Sequence, residues 1–117
     1  MVKVGRNNTI ELTRGDSLRL KVVLTVGGAP YLPEEGDAIR FALKRDVMDR
    51  MRTRFVDEEP LIVKSVSTDS MYLELEPVDT AALDFGEYVY DVQITRANGF
   101  VRTFVADARF IIGREVD

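Results

Sequence analysis

The chain has 117 residues, 45% hydrophobic and 31% charged, with sixteen basic and twenty acidic side chains giving a net charge of −4. A chain of this size and balance buries roughly 65% of its unfolded surface without disulfide or metal, which excludes a disordered polymer. Cysteine, histidine and tryptophan are all absent, removing the thiol nucleophile, the usual general base at neutral pH and most zinc sites.

The N-terminal run Met1-Val2-Lys3-Val4-Gly5-Arg6-Asn7-Asn8 lacks the apolar core of a signal peptide. Ile10 and Leu12 alternate with Glu11 and Thr13 before the turn Arg14-Gly15-Asp16. From there Leu18, Leu20, Val22, Leu24 and Val26 alternate with Arg19, Lys21, Val23 and Thr25. A helix scatters these five apolar residues around its circumference, whereas a strand puts them on one face, so one strand over 18–26 is predicted. The stretch Val22-Val23-Leu24-Thr25-Val26 is too short to span a bilayer, and no membrane association is expected.

Gly27-Gly28-Ala29-Pro30 and Pro33-Glu34-Glu35-Gly36-Asp37 read as turns. Ile39, Phe41 and Leu43 form the next alternating strand. Residues 45–60 are dense in charge, and Val47, Met51 and Phe55 fall at i, i+4 and i+8. That spacing predicts a solvated loop with a helical turn or two, with a partner-binding protrusion as the functional alternative. Leu61 to Val66 is a mixed apolar run whose facing the pattern does not assign.

After Ser67-Thr68-Asp69-Ser70, the residues Met71, Leu73 and Leu75 resume the alternation. In Pro77-Val78-Asp79-Thr80-Ala81-Ala82-Leu83, Asp79 or Thr80 is expected to N-cap a single helical turn crossing the end of the fold. Tyr88, Tyr90, Val92 and Ile94 mark another strand, and Asn98-Gly99 a tight hairpin. Phe104, Ala106, Ala108, Phe110 and Ile112 close the pattern. Seven or eight short strands between turns predict an all-β sandwich or small barrel occupying 1–117 as one domain.

Few residues offer chemistry. The acidic pairs Glu34-Glu35 and Glu58-Glu59 lie beside prolines in predicted loops, with nothing to split their pKa values as paired-carboxylate catalysis needs. Gly27-Gly28 lacks the following helix and Lys-Ser/Thr of a phosphate loop. Asp16, Asp37 and Asp69 are isolated turn acids rather than a calcium loop. Arg14-Gly15-Asp16 matches the integrin tripeptide, but a turn with Gly15 at positive φ is the simpler expectation. Lys44, Arg45, Arg50, Arg52 and Arg54 are offset by Asp46, Asp49, Asp57 and Glu58, so nucleic-acid binding is not expected. No catalytic, cofactor-binding or metal-ligating residue is assigned.

Asp84-Phe85-Gly86-Glu87-Tyr88-Val89-Tyr90 resembles the immunoglobulin-type signature Asp-x-Gly-x-Tyr-x-Cys, with Tyr90 in place of the cysteine. The resemblance implies an immunoglobulin-like antiparallel sandwich in which Tyr88 forms a tyrosine corner, bonding back to nearby backbone. A wider pattern covers most of the chain: Arg14-Gly15-Asp16-Ser17, then Gly36-Asp37-Ala38-Ile39-Arg40-Phe41 with Leu43-Lys44, Leu75-Glu76-Pro77-Val78-Asp79-Thr80 with Leu83, Gly86 to Ile94, and Phe110-Ile111-Ile112 with Glu115-Val116. It resembles small prophage proteins of Gram-positive bacteria, a group similar to the N-terminal domain of phage baseplate upper proteins. The resemblance implies a structural protein of a tail or baseplate, made in the bacterial cytoplasm and then carried in the virion. Its partners would be other tail or baseplate proteins, or a second copy of itself. Baseplate upper proteins continue into a long C-terminal part holding the receptor-binding protein. With this chain stopping at Asp117, anchoring or assembly is the expected role. The alternative is a cell-surface or carbohydrate-binding module, for which Tyr31, Tyr72 and Phe100 are the candidate aromatic platforms.

Overall fold

Two-residue periodicity puts every second side chain on the same face of a strand, and the inward faces of these strands build the core. The computed structural model describes residues 2–4, 8–48 and 54–113. The described residues form ten strand segments and one short helix: β1 (Val2–Val4), β2 (Ile10–Thr13), β3 (Leu18–Lys21), β4 (Thr25–Val26), β5 (Ala29–Pro30), β6 (Ala38–Met48), β7 (Arg54–Val66), β8 (Tyr72–Leu75), α1 (Pro77–Ala81), β9 (Gly86–Thr95) and β10 (Val101–Gly113). The protein is all-β. The count exceeds seven or eight because β1 and the small β4–β5 hairpin are added to the alternating strands.

One sheet runs β1-β2-β10-β9-β6-β7, and a two-stranded sheet, β3-β8, contributes to the same core. Every described neighbour pair is antiparallel except β2 with β10, which run parallel with Ile10 beside Phe110 and Leu12 beside Ile112. In the large sheet, Leu43 and Ala108 flank Tyr90 on either side, and Phe41 stands opposite Val92. Directly opposed residues share a face, so these side chains all point inward.

There the Phe41, Tyr90 and Phe110 rings converge. Phe41 and Tyr90 have centroids 5.4 Å apart, and each lies 6.2 Å from Phe110, Tyr90 edge-on to it. Leu18, Leu73 and Leu75 from the small sheet complete the same cluster, with Leu20 and Val22 packed against it. Full burial of Phe41 and Phe110 contributes about 3 kcal/mol each, with the edge-on contact of Tyr90 and Phe110 adding about 1 kcal/mol.

The structure departs from the expected pattern at several points. Within the segment 45–60, the described residues are strand rather than helical turn: β6 continues to Met48 and β7 begins at Arg54, so residues 45–48 and 54–60 lie on two long paired strands. Val47 and Phe55, spaced like a helical face, are partners across this hairpin; Met51 lies outside the described residues. The predicted strand 18–26 divides after Lys21. Gly27 and Gly28, both at positive φ, turn Thr25–Val26 back onto Ala29–Pro30 instead. The Tyr31 amide then donates to the Leu24 carbonyl.

Helix α1 is capped one turn earlier than expected. Glu76 is the N-cap, and the Asp79 carboxylate accepts its backbone N–H at 2.7 Å. Asp79 also pairs with Lys64 at 3.0 Å, tying α1 to β7, while Thr80 is buried inside. In β10, register shifts between Thr103 and Ala108 invert the phase, so Val105 rather than Ala106 shares the core face, opposite Val92. On β9 the outward residues Val89 and Asp91 are buried too. This strand is flanked by β6 and β10, and the Lys44 ammonium closes over Asp91 at 2.7 Å. Gly36 is required by contact as well as conformation: at φ +87°, an added Cβ would lie 2.9 Å from the Ala97 Cβ of the β9–β10 hairpin.

Replacing Phe110 by Ala empties the centre of the ring cluster. Chemical denaturation should show a loss of about 3–5 kcal/mol. A loss below about 1 kcal/mol contradicts this packing.

Candidate docking site

The small sheet leaves part of the core's side open. Strand β3 pairs with β8 in the register Leu18–Leu75, Arg19–Glu74, Leu20–Leu73 and Lys21–Tyr72, and the Val22 amide extends the ladder by donating to Met71 at 2.7 Å. Hydrogen-bonded positions alternate along an antiparallel strand. The backbone groups of Leu18, Leu20 and Val22 therefore face β8, and those of Arg19, Lys21 and Val23 face the other way. Among the described residues no strand meets them there.

Beside this edge lies a cleft of about 140 Å³, lined by five consecutive residues, Leu20 to Leu24, and across from them by Ile10, Tyr90, Val92 and Val105. Its lining is mainly aliphatic. The Tyr90 hydroxyl donates to the Asn8 carbonyl, so the principal polar group at the cleft is already satisfied. Burial pushes the Tyr90 phenol up to about 12 by disfavouring the phenolate. Over the lip stand the Lys21 side chain and Val23, which is 71% exposed. Arg19 is engaged with Glu74 at 3.3 Å and lies over the Tyr72 ring at 4.1 Å. Lys21 makes no ion pair among the described residues.

The residues singled out in the sequence are dispersed. Arg14-Gly15-Asp16 is a docked turn: Gly15 has φ +87°, its amide donates to Thr80 Oγ1 at 3.2 Å, and the Arg14 guanidinium covers the Phe85 ring at 4.2 Å. Tyr88 donates to the Asp84 carbonyl at 2.8 Å, as a tyrosine corner does, and its phenol is raised by burial and then by the Asp84 charge. Tyr31 packs against Phe104 at 5.2 Å and receives a hydrogen bond from Arg96, which also holds Glu34 and Asp37. Tyr72 lies under Arg19, leaving Phe100 as the openly exposed ring of the three. Arg102 is exposed beside Phe104, with its guanidinium carbon 5.6 Å from the ring centroid. Among the described residues no group of three or more acidic, histidine or cysteine side chains is placed to hold a metal, and no helix is long and apolar enough to cross a membrane.

Sequence reading did not single out the edge of β3. Its one local signal is Val23, an apolar residue where the alternation calls for an outward polar one. Comparison of the chain with protein families, with curated proteins and with solved structures finds no match.

The raised Tyr90 pKa sets an alkaline limit. The unfolded phenol ionises near its ordinary value of 10 and the folded one near 12. The stabilisation is therefore complete below pH 10 and is lost as pH rises through about 12. Denaturant titrations across this range should show wild-type stability falling, with a shallower fall in Tyr90→Phe, which should also be weaker at neutral pH by about 1 kcal/mol for the lost Asn8 bond. Parallel alkaline profiles contradict the assignment.

Proposed function

We infer that this chain is an immunoglobulin-like, non-catalytic assembly module of a phage or prophage tail or baseplate, acting by docking onto neighbouring tail proteins. The strand order supports the immunoglobulin-like part. Strands β10, β9, β6 and β7 correspond to G, F, C and C′ of such a sandwich, and β3 and β8 to B and E, with Tyr88 at the start of the F strand. The baseplate part rests on the resemblance in sequence pattern.

The observation that carries docking is the β3 edge. A row of backbone donors and acceptors beside an apolar cleft is a template for adding a strand. Soluble proteins commonly blunt such edges with charge or proline, and the β7 edge of the large sheet carries Glu59 and Pro60.

Co-expression with the proteins encoded beside it in its genome tests this reading. The chain should co-purify with at least one tail component and migrate with it in size exclusion. Failure to associate with any of them, or a genomic position inside a metabolic operon, counts against it.

A further inference from the structure

We propose that the β3 edge accepts an extended strand from a partner protein, one that alternates apolar residues turned into the cleft with acidic residues turned outward. This rests on the docking reading above and specifies the site and its ligand chemistry.

The backbone directions come first. The N–H and C=O groups of Arg19, Lys21 and Val23 point away from β8, so a strand laid alongside meets donors and acceptors at every second residue. Its own side chains then alternate between the cleft and the outer surface. The cleft holds about 140 Å³, close to the roughly 150 Å³ of an apolar cavity that takes up benzene, and therefore suits one leucine- or valine-sized side chain. Its aliphatic lining, and a Tyr90 hydroxyl already bonded to Asn8, select against a polar anchor.

Charge selects the outward residues. Cross-strand neighbours on one face interact, opposite charges favourably and like charges unfavourably. The outward face of β3 presents Arg19 and Lys21, and among the described residues Arg19 has its carboxylate, Glu74, while Lys21 has none. A carboxylate on the incoming strand completes the pair for Lys21. The same charges disfavour a second copy: two β3 edges paired antiparallel would bring Arg19 and Lys21 against their own duplicates. Lys21 thus guards the edge against self-pairing while admitting an acidic strand.

The test uses the full chain and a short, capped, fluorescein-labelled peptide of alternating valine and glutamate, with an alternating valine–lysine peptide as control. Anisotropy should show saturable binding of the glutamate peptide and not of the lysine peptide. Val23→Pro removes an outward N–H while leaving the bonds to β8, and should weaken binding about tenfold or more. Lys21→Glu should reverse the preference between the peptides, a result that misfolding does not produce. Absent binding by the wild type, or equal binding by Val23→Pro, overturns the proposal. Dimerisation of the wild type that Val23→Pro abolishes, without peptide binding, reassigns the edge to a second copy and also overturns it. If tail proteins co-purify equally with wild type and Val23→Pro, assembly stands and this edge is not its site. If the peptide binds but no tail protein does, the edge stands and the tail reading falls.

Discussion

Tyr90 is where the constraints on this fold meet. It lies in the middle of β9, between Leu43 and Ala108, with its ring against Phe41 and Phe110. A ring this deep contributes mainly through burial, but its hydroxyl must still find a partner or the gain is lost. The Asn8 carbonyl supplies that partner from the segment leading into β2. One side chain thus joins the core of the large sheet to the strand that runs parallel to β10. It also forms part of the cleft under β3. The aromatic packing and the open edge are two sides of the same residue.

The periphery is held by short polar clamps. Lys64 and the Glu76 amide share the Asp79 carboxylate, fixing α1 against β7. Arg96 holds Glu34 and Asp37, joining the turn before β6 to the β9–β10 hairpin, where Gly36 and Ala97 approach too closely for another side chain. The half-exposed ion pairs contribute little each. Their service is geometric, since they fix the connections and leave the inner face to apolar residues.

Much of this was legible from residue order. Strict alternation marks Phe41, Tyr90, Phe110, Leu73 and Leu75 as inward, and all are buried. Positions whose environment comes from distant chain were not legible. The β6–β7 hairpin extends into charged sequence: Arg45 stands opposite Asp57, and a segment with charge at so many positions reads as loop. Val26 looks inward by count, but Gly27 and Gly28 bend it into an exposed hairpin. Val89 and Asp91 look outward, yet their strand lies between two others. The edge of β3 was least legible. A free edge is a property of which strands do not pair, and sequence periodicity reports only faces.

Residue-resolved amide hydrogen exchange on the isolated monomer tests the central claim, that inward packing closes one core while half of the β3 backbone has no strand partner among the described residues. Leu20 and Val22 should be protected alongside the β9 amides, with Arg19, Lys21 and Val23 exchanging at rates near those of an open chain. Uniform protection from Arg19 through Val23 would mean that the edge is already occupied, and the account would be wrong.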